Sequence, residues 1–224
     1  MYLKACSQEL PSRLHAGPAI RIAEACHYPS AQNLVAKRYA ERGYVSSELS
    51  TYSGDSVIVC SAFDGLATVG TIAMRYDSER GLNADAVFGA ELDSLRAGGL
   101  RLCEGGRLAL DHDVGDNKAL LARLFHLAFL HAYRLAACEL LVIEVNPRHV
   151  PFYRRMLGFK VRSEPRRNPR VNALAVLMTL DLSYAAEQIG CFGGSPGNAA
   201  ATRTLYPYFY GAADEAAVLA KLRQ

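Results

Sequence analysis

A few side chains in this sequence stand where their type and spacing could do chemistry. Glu104 and Arg107 lie three apart in a β-rich run, separated by Gly105-Gly106. Residues three apart in a regular strand face opposite sides of the sheet. One extra residue at the two glycines, which favour a bulge, brings carboxylate and guanidinium onto one face. There the carboxylate can act as a base, or the two groups can form an ion pair that fixes the strand. Arg75 and Arg170 are further candidates, because the guanidinium fork matches a carboxylate in bidentate fashion. Between Arg148 and Arg170 eight basic residues (Arg148, Arg154, Arg155, Lys160, Arg162, Arg166, Arg167 and Arg170) stand against one acid, Glu164. That density suits electrostatic steering of an acidic partner, or a solvated basic face.

Other reactive residue types form no pattern. Cys6, Cys26, Cys60, Cys103, Cys138 and Cys191 include no C-x-x-C pair, so they read as buried free thiols in a reducing cytoplasm. His126 and His131 have no metal constellation around them and are expected to face solvent. No metal site is expected.

These groups need a scaffold, and the pattern of the chain supplies one. β-rich runs occur at Ala19 to Glu24, Ser56 to Phe63, Ala67 to Asp77, Leu100 to Asp111, Leu140 to Asn146 and Ala173 to Leu182, interleaved with helical stretches, which reads as mixed α/β. Asp64-Gly65 suits a tight hairpin turn between two of them. Asp85 to Ala97 reads as an amphipathic helix closed by Gly98-Gly99. Asn117 to Ala137 is the longest helix, with Arg123, His126, His131 and Arg134 inside an arc of about 140° and the remaining circumference buried on a sheet. Asn146 is a good N-cap, Pro147 suits the first helical position and Gly158 a C-terminal stop, which gives strand, short helix, strand. Pro151, fifth in that helix, lacks a donor and threatens the turn that carries Tyr153. Residues 190 to 212 are rich in glycine and aromatics, including Tyr206, Tyr208, Phe209 and Tyr210, and a short helix follows from Asp214 to Leu222.

Composition sets outer limits. At 224 residues the chain is one large domain or a domain with an extension, and with 50% hydrophobic and 21% charged residues it can bury a sizeable core. Twenty-five basic against 22 acidic residues is too near neutral for a duplex nucleic-acid binder. Residues 1 to 25 never build a secretory apolar run, and the most apolar region, Leu120 to Val145, holds too many charges to span a bilayer. A cytoplasmic location is therefore the default, without integral membrane association.

Asn146, then Phe152-Tyr153, then Leu157-Gly158-Phe159 resembles the last helical motif of the GNAT acyltransferase superfamily. Glu104 to Asp111 followed by the long helix resembles its central strand, whose bulge opens a slot for a pantetheine arm. The E-x-x-R pattern resembles acyl-homoserine-lactone synthases and, more closely, the FeeM-type N-acyl amino acid synthases. With the second family the chain shares Gly81-Leu82, Ala84-Asp85, Phe88, Glu91-Leu92-Asp93, Leu95-Arg96, Glu104, Arg107, Asn146 to Phe159, Arg170-Val171-Asn172-Ala173 and Leu180-Asp181-Leu182. Lactone synthases carry a tryptophan in the acceptor region, and this chain has none.

The resemblance implies a GNAT-like fold over residues 1–182, a central mixed twisted sheet flanked by helices, with a C-terminal extension, 183–224, packed on the same domain. It implies transfer of a medium- or long-chain fatty acyl group from acyl carrier protein to the amino group of an amino acid, tyrosine-like by analogy. Amide formation needs a base for the ammonium, worth about 10² to 10⁴ in rate, and Glu104 is the candidate. Tyr153 is implied to protonate the departing thiolate. Amides between Gly105 and Leu108 would polarise the carbonyl. Arg75, Arg107 and Arg170 would bind the acceptor, while Leu108, Leu110, Asn117 and Asn146 would hold the pantetheine arm. Arg148, Arg154, Arg155, Arg166 and Arg167 would form the carrier-protein patch.

Acetyl-CoA enzymes of the superfamily carry a glycine-rich loop for the pyrophosphate, but here Asp111 to Lys118 has one glycine and three aspartates. The donor is therefore expected to be the phosphopantetheine thioester of acyl carrier protein rather than acyl-CoA, with no permanently bound cofactor. The alternatives are an acetyl-CoA-dependent N-acetyltransferase and a non-catalytic acyl-carrier or ligand-binding module.

Overall fold

The computed structural model describes residues 17–44, 56–112 and 117–224; Cys6 and residues 113–116 of the acidic loop lie outside it, as does most of the segment read for a secretory signal. In chain order the elements are β1 (Ala19–Ile22), α1 (Tyr28–Ala40), β2 (Val57–Asp64), β3 (Ala67–Tyr76), α2 (Asp85–Ala97), β4 (Leu102–Leu110), α3 (Asn117–Phe129), β5 (Leu140–Val145), α4 (Val150–Leu157), β6 (Lys160–Val161), β7 (Arg166–Asn168), β8 (Ala173–Asp181), α5 (Leu182–Phe192), α6 (Ala199–Thr202) and α7 (Ala212–Leu222). The strands form one mixed sheet in the order β1-β2-β3-β4-β5-β8-β6, with β7 paired to β8. Among the described residues only β4 and β5 run parallel within it, β4 leading to β5 by way of α3. Gly65 turns the β2–β3 hairpin at φ +58°, as Asp64-Gly65 led one to expect. β6 is the strand expected after the Gly158 stop, whereas helices α1 and α5 and the short strand β7 carry no distinct sequence signature.

Strand parity sorts the core into two layers. Cys103, Ile143, Val145 and Met178 face α3, α4 and α5. Leu102, Val142 and Leu177 face Leu82, Phe88 and Leu92 of the α2 region, and Ala109 packs on Leu34 and Val35 of α1. Each fully buried large side chain contributes roughly 1.5–3 kcal/mol.

The parallel pair is short, and this creates the site. Its register ends at Gly105 opposite Ile143. Beyond that point β4 stays with β3 through Ala109 opposite Thr71, while β5 stays with β8 through Val145 opposite Val176. The two strands therefore part. β4 uses three residues from Gly106 to Ala109 where β3 uses two from Ala73 to Thr71, and Arg107 sits at φ +54°. The bulge is thus at Arg107-Leu108 and not at Gly105-Gly106. A Cβ at Gly105 would lie 3.4 Å from Ile143 and Leu141 side-chain carbons, close to ordinary contact, and one at Gly106 would meet nothing within 4 Å.

Three further expectations need correction. α3 gives way to a π-helical turn over Leu130–Leu135, so the long helix stops short of Ala137. His126 is fully buried and does not face solvent. The aromatic tail covers it: Nδ1 accepts the Tyr210 N–H at 2.9 Å, Nε2 lies 3.1 Å from Glu215 Oε2, and the ring stacks on Phe209 at 5.2 Å. His131 is half-buried with Nδ1 3.5 Å from the Tyr76 hydroxyl, and burial lowers its pKa. Of the cysteines, Cys60, Cys103 and Cys138 are buried, but Cys26 and Cys191 are exposed.

Candidate functional site

Where β4 and β5 part, a cavity of about 440 Å³ runs between them. Its lining comes from both layers. Glu104, Glu144, Asn168 and Arg170 belong to the α2 side of the sheet, and Leu108, Phe125, Ile143 and Tyr153 to the α3–α4 side. The slot therefore connects a polar end with an apolar end.

Glu104 is 6% exposed. Its Oε2 accepts the backbone N–H of Asn83 at 2.6 Å. The loop that presents this amide is braced: Arg96 bonds Asp77 and Asp85, and Asp85 Oδ2 accepts the Leu82 N–H at 2.7 Å. Gly81 is confined there by its φ of +68° and by Asp85, 2.6 Å from where a Cβ would sit. Burial, and after it the negative charge of Glu144, push the Glu104 carboxyl up to about 7, against the Asn83 amide bond and the charge of Arg170. A carboxylate so tuned is shared between its two protonation states near neutrality, which suits a general base. Glu104 and Arg107 line a second, small cavity of about 30 Å³ together with Arg75, which pairs with Glu104 across the β3–β4 ladder. Among the ion pairs of the described residues none joins Glu104 to Arg107.

The apolar end is shaped by α4. Asn146 caps the turn before it, its side chain accepting the Arg148 N–H at 3.2 Å. A 3-10 turn over Pro147–His149 precedes the α-helix proper, which places Pro151 in the first α-helical turn, where a missing donor is harmless. Tyr153 keeps its place. It is half-buried on the cavity wall, with its ring 6.5 Å from Phe125 and 5.6 Å from Phe159. Burial raises its phenol, opposed by the charge of Arg42. Leu108, Leu110 and Asn146 also line the cavity; Asn117 starts α3, and its side chain lies outside the described residues.

The arginines separate into distinct situations. Arg170 lines the cavity and is ion-paired to Glu144, while its Nε is buried without a partner, as is the Nε of Arg75. Arg148 packs over the Tyr44 ring at 5.7 Å, and Arg154 and Arg155 are exposed on α4. Arg166 and Arg167 lie on β7, across the sheet from α4. There Arg166 pairs with Glu91 of α2 and sits over Phe88, and Arg167 bonds Asn172. The five arginines of the expected patch thus occupy two faces of the sheet. Asp111, the first carboxylate of the acidic loop, is paired with the buried Arg38, whose Nε also donates to Leu110 O at 2.8 Å.

Sequence reasoning passed over Asn83, Glu144, Asn168 and Phe125. For Glu144 a signal existed: the run Leu140 to Val145 is apolar except at that one position, two residues before the Asn146 cap.

A mixed sheet flanked by helices and parted beside the parallel pair β4–β5 is the GNAT acyltransferase fold. Escherichia coli ElaA shares it at a TM-score of 0.55 and 10% identity, over 73% of this chain and 99% of that one. An N-acetyltransferase from Staphylococcus aureus Mu50 does so at 0.51 and 14%, over 75% and 99%. Within that fold the family model of the N-acyl amino acid synthase FeeM matches residues 30–181, and the chain belongs to this family of amide-forming acyltransferases. FeeM itself, an N-acyl amino acid synthase from uncultured soil microbes, superposes with a TM-score of 0.69 at 28% identity, over 76% of this chain and 93% of that one. Among curated proteins none matches.

Proposed function

We propose that the protein joins a medium- or long-chain fatty acyl group, delivered as the phosphopantetheine thioester of acyl carrier protein, to the amino group of a tyrosine-like amino acid. The observation that carries this reading is the place of Glu104, a buried carboxyl pushed up to about 7 by its surroundings, at the junction of the polar and apolar ends of one slot. The acceptor enters as its ammonium form with its carboxylate received by Arg170, Arg75 and Arg107. Glu104 takes one ammonium proton, directly or through water, and the freed nitrogen attacks the thioester carbon. Backbone amides between Gly105 and Leu108 polarise the carbonyl oxygen, the C–N bond forms, the C–S bond breaks, and the nitrogen sheds its second proton.

Tyr153 has a narrower role than full proton donor. Burial keeps its phenol protonated, but it also makes the phenol a weaker acid than an ordinary thiol of pKa about 8.5. The hydroxyl stabilises the departing sulfur as a hydrogen-bond donor, and the thiolate collects the proton that the nitrogen loses. Leu108, Leu110, Asn117 and Asn146 hold the pantetheine arm, and the α4 arginines Arg154 and Arg155, with Arg148, face the acidic carrier. Arg166 and Arg167 form the other part of the expected patch, on the opposite side.

The test is an assay of the purified protein with one long-chain acyl group on carrier protein or on CoA, an amino-acid mixture containing tyrosine, and mass spectrometry of the products. Acyl amino acids should form far faster from the carrier-protein donor, with an advantage that shrinks as salt rises. Equal rates from acyl-CoA at every ionic strength would remove the donor assignment. Acetylated amines alone, or no amide at all, would remove the whole reading.

A further inference from the structure

Glu144 is a buried carboxylate that the reaction as described does not use. It lies one residue past the last β4–β5 pair, where the strands have begun to part. Parity places it on the same face as Glu104: Glu104 stands opposite Val142, and Glu144 is two residues farther along. Its side chain is 9% exposed. Oε1 accepts from Asn168 Nδ2 at 3.1 Å, and Oε2 pairs with the Arg170 guanidinium. Both partners come from β7 and the turn into β8, so this carboxylate ties that turn to the end of β5.

Stability alone is a poor reason for such an arrangement. A buried ion pair gains little over well-packed apolar side chains, because both charges must leave water. The neighbours of Glu144 on β5 are apolar, and an apolar residue would fit the sequence pattern of that strand. What the ion pair does is hold Arg170 at the cavity by one corner of its guanidinium while its buried Nε goes unpartnered. It also sets a second negative charge beside Glu104.

We propose that Glu144 is a positioning residue for the acceptor: acting through Arg170 and Glu104, it holds the guanidinium where an amino-acid carboxylate docks and adds a negative charge to the environment of the base. This rests on the reading of Glu104 as base and Arg170 as acceptor ligand. The groups that face Glu104 are Glu144 from β5, Arg170 from the β7–β8 turn, Arg75 from β3, Arg107 from β4 and the Asn83 amide from the loop before α2. Of these Glu144 alone is negative. It opposes the ionised form of Glu104, and so keeps that carboxyl basic enough to take a proton near neutrality.

Glu144→Gln keeps the size of the side chain and an oxygen for Asn168 while removing the charge. Two effects should appear together. The KM for the amino acid should rise about tenfold, because Arg170 loses a charge-assisted partner. The acidic limb of kcat/KM against pH should move to lower pH by about one unit, because the ionised form of Glu104 is no longer opposed. kcat at high pH and the KM for the acyl donor should change less than threefold. In an Arg170→Ala background the KM effect of Glu144→Gln should vanish while the pH shift persists, which separates the two routes of action.

An unmoved pH limb with an unchanged acceptor KM in a well-folded Glu144→Gln protein overturns the proposal. So does a uniform fall in kcat at all pH values with an earlier melt, the mark of a merely structural pair. Glu104→Gln serves as the separate control. If that variant keeps wild-type turnover, the reading of the base has failed, whereas a dead Glu104→Gln beside an unperturbed Glu144→Gln leaves the base standing and sinks Glu144 alone.

Discussion

The two ends of the slot are built by different means. At the apolar end Phe125 and Tyr153 project from helices α3 and α4, and Leu108 joins them from the bulge of β4. At the polar end Glu104, Asn83, Glu144, Asn168 and Arg170 come from three strands and two loops, and each is held by a named bond: Asn83 N–H on Glu104, Asn168 and Arg170 on Glu144. A fatty acyl chain needs only an apolar surface of sufficient extent. An ammonium that must lose a proton needs a carboxylate of the right basicity within hydrogen-bond reach, and that demands fixed geometry. Substitutions at the polar end should therefore act on proton transfer, acceptor binding and pH dependence, those at the apolar end on the donor and its departing sulfur without moving the pH profile.

The largest effect is expected at Glu104. Glu104→Gln should lower turnover on the order of 10² or more with the fold intact. Its stability should also respond to pH in a defined sense. The folded carboxyl lies near 7 against an ordinary 4.5, so the native state binds this proton more tightly than the unfolded state does. Wild-type stability from this group is undiminished below about 4.5, is lost progressively as pH rises through 7, and stays lost above it, a penalty on the order of 3 kcal/mol. The Gln variant lacks that penalty. Thermal melts at pH 5 and pH 8 should show its melting temperature relative to wild type increasing with pH. A variant less stable than wild type at pH 8 would mean that the carboxylate is stabilised there, by a partner such as Arg107, and the contrast between the two ends would lose its basis.

How much of this could be read from the sequence follows the same division. The principal strands, the Asp64-Gly65 hairpin, α2 and the Asn146 cap follow from local rules, in which each residue's pattern reports on its own element. The sequence leads to a bulge at the glycines, because glycine tolerance is visible in a sequence while the register of β4 against β3, which puts the extra residue at Arg107-Leu108, is not. Helical periodicity puts His126 on the solvent face because it does not include a tail more than eighty residues away, whose Tyr210 and Glu215 complete its bonding. The basic cluster reads as one patch along the chain, but a strand pairing lies between its halves and puts α4 and β7 on opposite faces. Asn83 and Asn168 carry no signal of their own; only the register of the sheet brings them to the two glutamates.

A middle-sized effect belongs to Tyr153. Tyr153→Phe removes one hydroxyl from the apolar wall and keeps the ring against Phe125 and Phe159. If the phenol only donates a hydrogen bond to the departing sulfur, kcat should fall about tenfold, with the acidic limb of the pH profile unmoved and the acceptor KM unchanged. Steady-state kinetics across pH 6 to 9 would decide; a thousandfold loss would instead require full proton transfer from the phenol.

Smaller still is the expected effect of the exposed charges on α4. Arg154→Glu with Arg155→Glu should raise the KM for an acyl-carrier donor roughly three- to tenfold at low salt, and the difference should fade towards about 0.5 M salt as the Debye length shrinks to a few ångströms. Turnover at saturating donor should hold. An unchanged KM at low salt would remove α4 from the docking surface.

The smallest effect is expected from Arg166, and it tests the division most directly. Its guanidinium is half-exposed and already paired with Glu91, while it lies over Phe88 on the α2 face. Its charge is matched by a neighbour, so little of it reaches a partner approaching α4 on the far side of the sheet. Arg166→Gln should leave the donor KM within twofold of wild type and shift the melting temperature by about 2 °C or less, since an exposed ion pair contributes little. The comparison is made in the same low-salt assay as the α4 variants. If Arg166→Gln instead raises the donor KM as far as the α4 charge reversals do, the carrier approaches along the edge that joins both faces. The polar end would then be a docking surface for the donor as well as the seat of the acceptor, and the separation of the two ends would have to be redrawn around the β7–β8 turn.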